Sequence, residues 1–114
     1  MSISIFQSCV RAVGDLAGVF EHDGDTSYFY LYDSREEDQQ KVISAIHVYT
    51  GIPDYGEGDV IVRWDNEEQY LGLFIRSELW AAFDIQMNER YGGNYLSGQK
   101  SDIPDGIKSH FKEA

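Results

Sequence analysis

The sequence predicts an α+β fold: an antiparallel sheet of about five strands, built from a hairpin and a three-strand meander, with two or three short helices packed alongside. Three observations lead there. Alternating apolar runs flank an Asp-Gly turn at Asp23 and Gly24, three more alternating runs follow between residues 60 and 85, and segments with helical apolar spacing separate and flank these groups. The order helix, two strands, helix, three strands, helix lacks the strand–helix alternation of a parallel α/β sheet.

Taken in order, Phe6, Cys9, Val10 and Val13 fall at the i, i+3, i+4, i+7 spacing of one helical face, and Gly14 supplies a stop, so a short opening helix is expected. From 16 to 23 the side chains alternate as in a strand. The turn His22-Asp23-Gly24-Asp25 uses the ease with which glycine adopts positive φ, and a return strand is expected over 26–32. Ser34 and Glu37 have the spacing of a capping box, and Val42, Ile43, Ile46 and Tyr49 continue at helical spacing, which predicts a second helix over 41–48. The competing reading is a strand over 46–50, because His47, Val48, Tyr49 and Thr50 are weak helix formers.

Gly51, Pro53, Asp54, Gly56 and Gly58 mark a surface loop. Alternation over 60–64, 70–75 and 79–85, with polar connections at 65–69 and 76–78, predicts a meander of hairpins. The stretch 88–102 is rich in Gly, Asn, Ser and Gln and reads as a mobile loop. A final helix is expected over 104–112: Ser101 or Asp102 can cap it, Pro104 suits a first turn, and Ile103, Ile107 and Phe111 share one face.

A chain of 114 residues with 42% hydrophobic content is expected to form one domain over 1–114, without repeat or linker. Folding at this size hides roughly two thirds of the unfolded chain's surface, enough to offset chain entropy without metal or disulfide. With 20 Asp and Glu against 9 Lys and Arg, the net charge of -11 opposes nucleic-acid phosphates and anionic membranes, so neither is an expected partner. The charge serves either as a solvated surface or as an acidic face for a basic protein. The single cysteine, Cys9, excludes an internal disulfide and paired-cysteine zinc sites; among Phe6, Val10 and Val13 it reads as a packed thiol in a reducing compartment. Residues 1–6 lack the basic start of a secretory signal, and the expected location is the cytoplasm.

No phosphate loop, nucleophile elbow or His-Glu-x-x-His pair is present. His22, His47 and His110 lie in three different elements without ligand spacing, so no metal and no cofactor are expected. Glu21 and Asp84, on apolar-rich strands, are the candidates for a perturbed catalytic carboxylate, although such residues ordinarily face water. Binding rather than catalysis is therefore expected.

The most informative segment is Tyr28-Phe29-Tyr30-Leu31-Tyr32. Period-two alternation puts three tyrosines on one face and Phe29 with Leu31 on the other. Tyrosine combines large contact area, few torsions and a hydroxyl, which suits it to interfaces. Eight carboxylates lie between Asp15 and Asp38, with Arg35 the one opposing charge. Together these define a candidate surface for a basic partner: Asp23, Asp25, Tyr28, Tyr30, Tyr32, Glu36 and Glu37. An alternative is a small-ligand pocket or minor enzyme site lined by Tyr30, Tyr49, Trp64 or Trp80, with Asp84 or His47 as its polar group. A third is a homodimer formed through an exposed strand edge or apolar face.

The run Phe20, Glu21, Asp23, Gly24, Thr26, Tyr28, Phe29, Tyr30, Asp33, followed by Ile43, Ala45, Ile46, His47, Val48 and Tyr49, resembles a family of small bacterial proteins known only as a domain of unknown function. Trp64, Leu73, Ala82, Phe83 and Asp84 continue the likeness, which covers about residues 16 to 85. The resemblance implies a bacterial cytoplasmic protein and carries over no catalytic residue. Small acidic bacterial domains of this kind also look like toxin-neutralising immunity proteins, a likeness of style.

Overall fold

The structure, a computed structural model, describes residues 4–35, 41–96 and 98–111. It overturns the α+β expectation, because the chain is mostly β: two four-stranded antiparallel sheets and one short C-terminal α-helix. The first sheet runs β1 (Ile5–Val10), β2 (Leu16–His22), β3 (Thr26–Asp33), β4 (Lys41–Thr50) in simple order. The second runs β5 (Val60–Trp64), β6 (Tyr70–Ile75), β7 (Glu78–Asp84), β8 (Glu89–Gly92) in the same way. The hairpin at Asp23-Gly24 and the meander after residue 60 are present as β2–β3 and β5–β7.

The two segments expected as helices before residue 50 are strands, each for a physical reason. In β1 the apolar residues lie on both faces: Phe6 and Val10 point outward and are exposed, while Cys9 packs against the core. Helical spacing results because strand alternation there does not separate apolar from polar residues. β4 carries two extra residues relative to β3: the register slips between Leu31/Tyr32 and between Ser27/Tyr28, leaving Ile43 and Val48 without partners. Each bulge resets the face on which the following side chains emerge, so a period of two turns into spacings of three and four. Ser34, the supposed cap, instead donates its hydroxyl to the Gly14 carbonyl at 2.8 Å, and Glu37 lies outside the described residues. The stretch 88–102 also contains a strand, β8, and the final helix is the single turn α1 (Asp105–Lys108) followed by a 3₁₀ turn, Ser109–Phe111.

Between the sheets, Phe20, Phe29, Leu71, Leu73 and Phe83 form a dry core, with the Phe29 and Phe83 ring centroids 5.1 Å apart. Each such side chain contributes about 1.5–3 kcal/mol relative to exposure. The sheets are also stitched along both edges. On one side the Trp64 indole donates to the Cys9 carbonyl at 3.1 Å and the Gln7 amide to the Glu57 carbonyl at 3.3 Å. On the other, the Gly93 N–H bonds to the Trp80 carbonyl at 2.7 Å, then Asn94 and Tyr95 donate to the His47 and Val48 carbonyls of β4 at 3.1 and 2.7 Å. The chain thus steps from one sheet to the other at Gly93, whose φ of +97 suits glycine.

The second sheet is also partly covered on its outer face, where Ile61 of β5 stays 52% exposed. Its outer side chains Tyr70, Leu79 and Ala82 pack beneath Ile103 and Phe111 from the C-terminal segment. Arg63 lies over the Phe74 ring, 4.8 Å from its centroid, and donates to the Phe111 carbonyl at 2.6 Å. Among the described residues no helix is long and apolar enough to cross a membrane.

Candidate interaction surface

The outer face of the first sheet differs from that of the second. The ladder registers arrange it in three rows across the strands: Phe6, Glu21, Tyr28, His47; Ser8, Val19, Tyr30, Ala45; and Val10, Ala17, Tyr32, Val42. Phe6 and Val10 are each 55% exposed, Val42 43% and Tyr28 37%, whereas the core-facing Phe20 and Phe29 are fully buried. Such large apolar side chains gathered on one face mark an interaction site more often than singly scattered ones do.

The tyrosines form a continuous ladder of rings. Tyr28 and Tyr30 stack with centroids 5.7 Å apart and planes 23° apart; Tyr32 meets Tyr30 edge-on at 5.8 Å; His47 meets Tyr28 edge-on at 5.4 Å. Aromatic pairs of this geometry are worth about 0.5–1.5 kcal/mol each beyond area burial. His47 is held from its other sides: the Asn94 amide oxygen lies 3.3 Å from Nδ1 and the Thr50 hydroxyl 2.7 Å from Nε2. Burial raises the Tyr30 hydroxyl above its ordinary range, reinforced by the negative charge of Glu21.

Charge is distributed unevenly along the ladder. At the Tyr32 end, Arg11 grips Asp15 through two hydrogen bonds at 2.5 and 2.9 Å, and Arg35 grips Asp33 at 2.9 and 3.0 Å. At the Tyr28 end stand Glu21, Asp23 and Asp25, none in an ion pair among the described residues. Asp23 caps the hairpin turn, accepting the N–H groups of Thr26 and Asp25 at 3.1 and 3.2 Å, which holds its carboxyl below the usual range. Glu36 and Glu37 lie outside the described residues.

Of the residues expected of a pocket, Tyr49, Trp64 and Trp80 lie in or against the core between the sheets, while Tyr30, His47 and Asp84 lie elsewhere. Trp64 and Trp80 are core residues, Tyr49 packs on Tyr55 and Tyr95, and His47 belongs to the outer row. Asp84 is buried at the end of β7, where its carboxylate accepts the Met87 N–H at 3.1 Å and holds a turn. An open cavity of about 210 Å³ lies beside Trp80, lined also by Gly92, Gly93, Asn94 and Lys100, and contains none of the other five.

Sequence reasoning missed one polar cluster. His22 Nδ1 lies 2.5 Å from the Ser27 hydroxyl, which lies 2.7 Å from the Tyr55 hydroxyl, and all three residues are buried. The signal was the register of the hairpin, which places His22 opposite Ser27 on the inner face. With Ser27 fully buried, the three side chains tie the hairpin to the loop carrying Tyr55. Burial pushes the Tyr55 phenol up to about 12. Among the described residues, no three His, Cys, Asp or Glu side chains are grouped to hold a metal ion.

These features define a small two-sheet β protein with one exposed aromatic face. The chain belongs to the family described as an uncharacterized protein conserved in bacteria (DUF2251), whose model matches residues 3–103. It is similar to an uncharacterized protein of Haemophilus influenzae, 29% identical over an alignment of 100 residues that covers 79% of this chain and 62% of that protein. The chain thus spans less than two thirds of that relative's length. No solved structure matches.

Proposed function

We propose that the chain is a non-catalytic protein-interaction module that binds a basic protein partner through the outer face of its first sheet, in the manner of an immunity or inhibitor protein that masks a cationic surface. The observation that carries the reading is the contrast between the two outer faces: one lies largely beneath Ile103 and Phe111 and exposes the single large apolar side chain Ile61 among the described residues, the other presents Phe6, Val10, Tyr28 and Val42 together. Rigid aromatic rings lose little conformational entropy on binding, and the unpaired carboxylates at the Tyr28 end supply steering toward positive charge.

The test is capture from bacterial lysate by the tagged protein and by a variant carrying Tyr28→Ser, Tyr30→Ser and Tyr32→Ser, each washed at low and high salt. A discrete basic protein should be held by the unmodified chain at low salt, released at high salt and absent from the variant. Equal retention by both baits, with circular dichroism confirming a folded variant, removes the aromatic face from the interaction. Retention indifferent to salt removes the basic partner.

A further inference from the structure

We propose that Glu21 anchors an arginine side chain of the partner, seated between Phe6 and Tyr28. The inference deepens the sheet-face reading and rests on it.

Glu21 is the only carboxylate in the three rows, and the registers put it directly between two aromatic rings: Phe6 is its partner on β1 and Tyr28 its partner on β3. Side chains paired this way across antiparallel strands stand about 4.5–5.5 Å apart at Cβ, so the carboxylate is bracketed rather than merely nearby. Glutamate is disfavoured in strands, and aromatic cross-strand neighbours offer its charge no compensation. Among the described residues it makes no hydrogen bond and no ion pair, although Arg11 and Arg35 are engaged elsewhere on the same sheet by Asp15 and Asp33. The charge is therefore available, on an exposed side chain between two exposed rings.

The chemistry that fits is a planar cation. A guanidinium can offer two parallel N–H donors to one carboxylate while laying its faces against rings on either side, and it sheds water more readily than an ammonium. This protein already uses that pairing internally, with Arg63 over Phe74 and Arg11 over Trp64. A lysine ammonium matches the charge but neither the fork nor the flat contact. Asp23 and Asp25, exposed at the adjoining hairpin, add field without adding rings.

The experiment titrates isotopically labelled protein, at low salt, with a short peptide of alternating arginine and glycine, and with its lysine counterpart. Saturable resonance shifts centred on Phe6, Glu21 and Tyr28 are expected. Affinity should fall about tenfold in Glu21→Gln, the effect of losing one charge-assisted pair, and be severalfold weaker for the lysine peptide. Phe6→Ser, also at an exposed position, should weaken arginine binding while leaving the fold intact. Equal affinity of Glu21→Gln and the unmodified chain overturns the anchor, as do shifts centred on Asp23 and Asp25 instead. The lysate capture separates the two ideas: a partner lost by the triple tyrosine variant but held by Glu21→Gln leaves the face standing and removes the anchor, whereas retention by both variants removes both.

Discussion

Gly18 in β2 lies so close to Leu71 in β6 that a Cβ built on Gly18 would stand 2.6 Å from Leu71 Cδ1. Leu71 is fully buried in a close-packed core, so the two sheets approach each other through the missing side chain. Gly18→Ala should therefore destabilise by about 1–3 kcal/mol. Shortening the opposing residue with Leu71→Val should recover part of that loss, which urea unfolding of the two single variants and the double variant measures. Strict additivity of the two substitutions would show that the contact does not limit the approach.

Gly93→Ala tests the stitch between the sheets. The added Cβ would stand 2.6 Å from the His47 carbonyl oxygen in a backbone conformation with φ of +97. A loss of about 2 kcal/mol or more is expected, since steric overlap and left-handed strain act together. Hydrogen exchange should accelerate selectively at the Asn94 and Tyr95 amides, which bond to β4 just beyond the glycine. Uniform acceleration across both sheets would mean the crossing is not a separable element.

The buried Tyr55 phenol makes an alkaline prediction. Its value is raised from 10.0 to about 12, so the neutral form is favoured in the folded state. Stability from this group is complete below about pH 10 and is lost as pH rises toward about 12, at most about 2–3 kcal/mol. Tyr55→Phe should remove one late-titrating phenol from the ultraviolet tyrosinate curve and flatten that part of the alkaline stability loss. At neutral pH it should cost about 1 kcal/mol, the hydrogen bond to Ser27. A variant that loses stability with pH as the unmodified chain does contradicts the assignment.

Asp15 makes the opposite prediction in acid. The Arg11 hydrogen bond holds its carboxyl below the usual range, so its contribution is present above about pH 4 and is lost as pH falls through the lowered value. The pair is only about a quarter exposed or less, with side-chain exposures of 20% and 25%. Asp15→Asn should cost about 0.5–1 kcal/mol at neutral pH, and the two proteins should converge in strong acid. Thermal melts across pH check this; a gap that persists in strong acid would assign the effect to packing instead.

The hairpin and the three-strand meander were legible because Phe29 and Leu31, or Leu71 and Leu73, face a dry core while their neighbours do not. The competing strand over 46–50 matches the second half of β4, whereas β1 and the helix preferred over 41–48 fail for two separate reasons. Outward Phe6 and Val10 are apolar because they belong to the exposed face, which removes the contrast that reveals a strand. Ile43 and Val48 are bulge residues, and a bulge is invisible to any fixed period. The composition of β4 held the better signal, since Val, Ile, Tyr and Thr favour strands whatever their spacing. β8 is too short and too exposed to leave a pattern. The tyrosine stripe was readable from alternation alone, whereas the row joining Phe6, Glu21 and Tyr28 was not, because it depends on pairing between strands.

Among the described residues every ladder joins strands adjacent in sequence, so each meander can zip from its own turns. Such local pairing favours rapid folding of either half, and the later event is their docking on Phe20, Phe29, Leu71 and Phe83. During synthesis the first meander leaves the ribosome with its greasy side bare, and the lid that will hide it is still being translated. Until β5 to β7 emerge, that half presents two sticky sides instead of one, and this interval is when the chain is most exposed to aggregation.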